Sequence, residues 1–259
     1  MAEWQTRCLQ AAVIIDRVGS TPTNRTIFCP MDDTLIETVK QWNITSSLPL
    51  QVGDFKLTAE QRMIREKEKD KEYLIFLYTN ADNGWTVRGT INPETNELFV
   101  RTDIGMLEFA LIEFITEDFN NFRNMIESRL PELIRTYYVD REENFSVLLK
   151  NKGITTVDWD SFLPESYAGF RRLIRPNDAV RIINGSYMIL AYYDAATRSG
   201  LSLMYNILRD DFFAERRIHN FPNLVHDFDS SDLKVLKRAL QERLLPVLDA
   251  IAADLKAAE

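Results

Sequence analysis

The sequence predicts an α+β fold of two tandem units packed as a pseudo-dimer. Each unit has an N-terminal helix, an antiparallel sheet of about four strands and a C-terminal helix. Three observations carry this reading. The run Tyr73-Leu74-Ile75-Phe76-Leu77-Tyr78-Thr79-Asn80-Ala81 aligns without a gap on Tyr187-Met188-Ile189-Leu190-Ala191-Tyr192-Tyr193-Asp194-Ala195, 114 positions further on, as a folding unit written twice would. The same offset pairs Glu113-Phe114 with Asp227-Phe228, Thr116 with Ser230, Asp118 with Asp232, Phe119 and Phe122 with Leu233 and Leu236, and Arg129-Leu130 with Arg243-Leu244. Upstream, Leu48-Pro49 and Phe55 match Leu163-Pro164 and Phe170 at an offset of 115. The implied division is a lead-in of residues 1–29, a first repeat of 30–140 and a second of 141–259. Preserved apolar faces favour packing about a pseudo-twofold, since a duplicated gene turns a homodimer into one chain.

Along the chain, Glu3 to Asp16 spaces Trp4, Cys8, Leu9, Ala12 and Val13 at helical intervals and stops before Gly19, which predicts a leading helix outside the repeat. Arg25 to Cys29 is short and β-prone, and Asp32 or Asp33 can cap a helix that runs to about Asn43 with Leu35, Ile36, Val39 and Trp42 on one face. The second unit starts alike, with Phe145, Leu148 and Leu149. Thr58-Ala59-Glu60-Gln61 has the form of a capping box, so the charged stretch Arg62 to Glu72 is expected as a solvated helical protrusion or connector. Four strands follow at Tyr73–Asn80, Trp85–Ile91, Glu97–Thr102 and Leu107–Ile115, joined by turns short enough to force an antiparallel meander. Glu117 to Arg135 and Leu233 to Ala253 are then covering helices, capped by Thr116 and by Ser230, Ser231 and Asp232. Pro131 and Pro246 interrupt the two apolar stripes at nearly matching places and predict a shared kink.

With 259 residues, 45% of them hydrophobic and 11% aromatic, the chain can bury a large core, and disorder is not its expected state. The 39 acidic against 31 basic residues give a net charge of −8, which repels nucleic-acid backbones and anionic membranes. No apolar run approaches the length of a membrane span; Ala11 to Ile15 is typical. Met1-Ala2-Glu3-Trp4 does not open a secretory signal, and Cys8 and Cys29 have no CxxC spacing, so reduced thiols in a cytoplasmic protein are expected.

Phe28-Cys29-Pro30-Met31-Asp32-Asp33-Thr34-Leu35-Ile36-Glu37-Thr38 resembles the first motif of the haloacid-dehalogenase phosphatases. The resemblance implies an aspartate nucleophile that forms a covalent phosphoryl intermediate. Pro30 stands at that position, and a pyrrolidine ring cannot attack phosphorus, so no phosphatase activity is expected. His219-Asn220-Phe221-Pro222-Asn223-Leu224-Val225-His226-Asp227-Phe228-Asp229 gathers both histidines with two carboxylates, in a spacing that fits no compact metal signature. At the repeat offset His219 faces Gly105, His226 faces Ile112 and Asp227 faces Glu113, so the acid tracks the scaffold and the histidines do not. Arg171, Arg172, Arg175 and Arg181 form a basic cluster beside Pro176 that could receive a phosphate or carboxylate. There is no Walker sequence, GxGxxG or GxSxG.

The functional expectation is a non-enzymatic, acidic, cytoplasmic protein-binding module with no catalytic residue, metal or cofactor. Its partner is a protein, a basic one if the −8 field steers the encounter. In order of elements and acidity the chain looks like small secretion chaperones, and in size and charge it is similar to bacterial immunity proteins that neutralise a basic toxin. The alternative is an enzyme or small-ligand binder with a cleft between the repeats, using His219, His226, Asp227 and the Arg171 to Arg181 cluster. A third possibility is an assembly subunit.

Overall fold

The computed structural model describes residues 33–66, 69–183 and 185–258. The leading helix, the β-prone stretch, both cysteines and the Pro30 motif lie outside those residues. Among the described residues, two seven-stranded antiparallel sheets, each with a covering helix, make a mixed α+β architecture. Helices α1 (Asp33–Lys40) and α2 (Ile44–Ser47) precede the first sheet. Its strands are β1 (Gln51–Val52), β2 (Phe55–Thr58), β3 (Arg62–Glu66), β4 (Lys69–Asn80), β5 (Thr86–Ile91), β6 (Leu98–Asp103) and β7 (Glu108–Thr116). They are ordered β1-β2-β4-β5-β6-β7, with β3 also on β4, and α3 (Phe119–Ile134) follows.

The second sheet contains β8 (Ser166–Tyr167), β9 (Phe170–Ile174), β10 (Val180–Arg181), β11 (Ser186–Asp194), β12 (Ser199–Asn206), β13 (Asp211–Ile218) and β14 (Phe221–Ser230). Its order is β8-β9-β11-β12-β13-β14, with β10 on β11. Helix α4 (Val147–Asn151) precedes it and α5 (Leu233–Ala258) follows.

The two sheets agree in their irregularities as well as in strand order. Between the pairs Leu74↔Thr90 and Phe76↔Gly89, β4 holds one residue more than β5; between Met188↔Met204 and Leu190↔Leu203, β11 does the same against β12. A longer insertion lifts β7 between Leu111 and Thr116 against the single residue Phe99, and β14 between Val225 and Ser230 against Phe213. Tyr78 donates to the carbonyl of Pro49 at 2.7 Å and Tyr192 to that of Pro164 at 2.5 Å. Burial pushes both hydroxyls up to about 12. Asn80 and Asp194 close the following turns by accepting from the backbone N–H groups two and three residues on, an Asx turn in each half.

Apolar spacing explains the layers. Phe122, Ile126, Leu130 and Ile134 recur every four residues on α3, and Leu236, Leu240, Leu244 and Leu248 do so on α5; all eight are buried against their sheets. Central strand β11 is buried on both faces as far as Tyr193 and reads as a near-continuous apolar run. Its neighbour Gly200 takes φ +156°, where an added Cβ would lie 2.0 Å from the carbonyl oxygen of Tyr192. On the face of the second sheet turned away from α5, Ile174, Met188, Ala191, Tyr193 and Met204 join the apolar cluster of the first sheet. Arg141 ties the halves together further out, its guanidinium 4.9 Å from the centre of the Trp85 ring and 2.6 Å from Asp178.

Several expectations need correction. Each sheet has seven strands, not about four. Arg62–Glu66 is a strand, not a helix, and pairs antiparallel with Lys69–Leu74 at the start of β4. Thr58 caps nothing; it ends β2 opposite Leu77. The helix caps are Asp118, which accepts from Asn121 N–H at 2.8 Å, and Asp232, which accepts from Lys234 and Val235. Thr116 and Ser230 each accept from the N–H of the capping aspartate instead. The two prolines are not followed by the same geometry, since α3 widens into a π-turn at Arg135–Val139 whereas α5 runs on to Ala258.

Candidate ligand surface on the second sheet

A concavity of about 790 Å³ lies on the face of the second sheet turned away from α5. Strand alternation builds its floor. Phe212 and Ala214 point toward α5, so Phe213, Glu215 and Arg217 point the other way, and Met204 stands opposite Phe213 in register. Leu107 from the β6–β7 turn and Ile182 and Ile183 from the β10–β11 connection wall one side. The insertion in β14 supplies His226 and Asp229 on the other. The lining sets apolar Met204, Phe213 and Leu224 among more numerous polar and charged side chains.

Its charges are matched locally. Arg217 Nη2 lies 3.4 Å from Glu215, Arg209 Nη2 lies 3.2 Å from Asp211, and His226 Nδ1 lies 2.6 Å from Asp229. His226 and Asp229 have the geometry of a base and its orienting carboxylate, and the neighbouring Ser230 hydroxyl is engaged with the backbone of Asp232. Among the described residues no group of three His, Cys, Asp or Glu side chains is placed to hold a metal ion.

The other residues singled out from sequence are dispersed. His219 sits at the β13–β14 turn with φ 48°, its Nδ1 3.0 Å from the carbonyl of Thr197 and its N–H donating to Ser199. Asp227 borders a separate hollow of about 480 Å³ on the α5 side with Arg216 and Val247. Arg171 and Arg172 belong to β9, which β11, β12 and β13 separate from β14, four strand spacings or roughly 19 Å. Arg172 is occupied by Asp160 at 2.6 Å and the carbonyl of Leu163. Arg175 borders a hollow of about 250 Å³ with Trp159 and Asp178. Arg181 lies 4.9 Å from the centre of the Tyr137 ring. The arginine cluster and the histidine segment therefore form no common cleft.

Sequence reading passed over a second cluster, on the face of the first sheet turned away from α3. Glu72 Oε1 lies 2.7 Å from Arg101 Nε and Oε2 lies 3.7 Å from Arg88 Nε, while Glu108 Oε1 meets Arg88 at 2.7 Å and Arg101 at 3.6 Å. Glu72 is only 3% exposed, and among the described residues its Oε2 and the Thr90 hydroxyl find no hydrogen-bond partner. Burial raises the carboxyl of nearby Asp103 above its usual range, against the pull of the Gly105 N–H, Arg88 and Arg198. The repeat offset was the available signal for both faces, since it sets Phe99 against Phe213 and Arg101 against Glu215.

No helix among the described residues is long and apolar enough to cross a membrane. Compared with family models, curated proteins and solved structures, the chain matches none.

Proposed function

We propose that this chain is a non-enzymatic, acidic, cytoplasmic protein-binding module, chaperone-like or immunity-like, that arose by tandem duplication and packs its halves about a pseudo-twofold. The single observation that carries the binding reading is the contrast at the second sheet: Arg209 and Arg217 in its concavity are paired with Asp211 and Glu215 close by in sequence, while the apolar Leu224 that borders it stays 62% exposed. Apolar side chains beside satisfied charges favour association over chemistry. The duplication is supported by matching bulges, tyrosine-to-carbonyl bonds and Asx turns 114 or 115 positions apart. The net charge of −8 disfavours nucleic acid and anionic membranes and favours a basic protein partner.

Affinity capture from native lysate at low and high salt tests the proposal. A stoichiometric protein whose association slows with salt is expected; failure to retain one would sink the reading. A small-ligand binder is the second reading, resting on the volume of the concavity and its apolar floor of Met204 and Phe213. Native mass spectrometry showing a retained metabolite and no protein would replace the first reading with this one.

A further inference from the structure

Resting on the protein-binding reading, we propose that the free edge of β14 receives an extended segment of a partner protein, apolar at alternate positions and carrying a lysine or arginine. β14 ends the strand order of the second sheet, so no described strand pairs with its outer side. Phe221 to Val225 hold an unbroken register with Ile218 to Ala214, which keeps five residues flat and extended. Pro222 lies in this stretch, and an edge strand tolerates its missing N–H.

A hollow lies on each side of that edge. Leu224 and His226 border both the 790 Å³ concavity and the 480 Å³ hollow, while Asn223, Val225 and Asp227 border only the latter, beside α5. A strand laid alongside β14 sends successive side chains to opposite faces, hence alternately into the two hollows; backbone bonds supply affinity and the hollows supply selectivity. Charge fixes the sign of the occupant. Asp227 borders the second hollow and its carboxylate makes no ion pair among the described residues, whereas Arg216 there is matched by Asp254 at 2.7 Å. A cation on the incoming segment answers that carboxylate.

The matching edge in the first half is β7. There Arg181, Ile182 and Ile183 stand across from β7 and leave a hollow of only about 130 Å³.

Random decapeptides displayed on phage and selected against the full chain test the proposal. Peptides with alternating apolar residues and a lysine or arginine are expected. They should slow amide exchange along Phe221–His226 and bind roughly tenfold or more weakly to Leu224→Lys and to Asp227→Lys, the effect of losing one interface hot spot. Leu224 is exposed, so Leu224→Lys should keep the wild-type unfolding midpoint. Selected peptides that bind Leu224→Lys unchanged, an absence of selected peptides, or a self-association dissolved by Leu224→Lys would each overturn the proposal, the last by assigning the edge to a second copy. A natural partner captured equally by wild type and Leu224→Lys would overturn the edge while leaving the protein-binding reading intact. Peptide binding at this edge with no natural partner captured would support the edge and sink the broader reading.

Discussion

On the first sheet, Glu72, Arg88, Arg101 and Glu108 close on one another across four neighbouring strands. At the positions 114 residues on stand Ser186, Ser202, Glu215 and Pro222, and the second sheet carries an open concavity floored by Met204 and Phe213. The scaffold beneath is alike down to the bulges. The difference teaches that outward-facing positions of a like ladder can diverge: one face carries an internal ion network and the other an open concavity.

The sharpest way to break this comparison is to remove one carboxylate from each face. Glu72→Ala removes a carboxylate only 3% exposed, leaves Arg88 and Arg101 to Glu108 alone, and is expected to cost about 1–3 kcal/mol in urea unfolding, whereas Glu215→Ala breaks one longer pair, 3.4 Å to Arg217, and should cost about 1 kcal/mol or less. Equal losses would erase the distinction. The helices sharpen the likeness instead: Ile126→Ala and Leu240→Ala occupy matching buried positions and should each lose about 2–5 kcal/mol. A loss outside that range in one half alone would show that the two helix–sheet layers are not energetically equivalent.

Smaller effects are expected from the tyrosine pair. Tyr78→Phe and Tyr192→Phe should each cost about 0.5–1.5 kcal/mol, one hydrogen bond to a proline carbonyl. Both hydroxyls are held at about 12 against an ordinary 10.0, so the folded state binds these protons more tightly. Their contribution is complete below pH 10 and is lost as pH rises toward about 12; each phenylalanine variant should remove its share of that alkaline slope. The smallest difference lies in the Asx turns. Hydrogen bonds from Thr197 hold the Asp194 carboxyl below its usual range, so its contribution is present above the ordinary carboxylate pKa and fades as pH falls through the lowered one. Asp194→Asn, which copies Asn80, should flatten that acid limb without moving the midpoint at pH 7. An unchanged acid limb would mean that the turn does not depend on the charge.

Much of the meander was legible because its signals are local. Tyr73–Asn80 and Tyr187–Asp194 announce buried strands by composition, and the Asp118 and Asp232 regions announce helix starts by residue type. Arg62–Glu66 was misread because its charges suit a helix surface as well as a solvent-facing hairpin, and only pairing with β4 decides between them. The site was less legible for a different reason. His226 and Asp229 do meet, but convergence of Leu107, Ile182 and Phe213 depends on how the two halves pack, which no spacing within one strand encodes. The separation of Arg172 from the histidines likewise follows from strand order alone.

The pairing of the first sheet has a consequence for biosynthesis. Every strand partner within it lies between Gln51 and Thr116, and most partners are successive hairpins. Such short-range contacts form quickly, and domains emerge from the ribosome N-terminal part first. The first ladder and its covering helix can therefore be complete while β8 to β14 are still being synthesised, and the nascent second half meets a finished surface at Leu107 and Gly105 on which to lay Leu173.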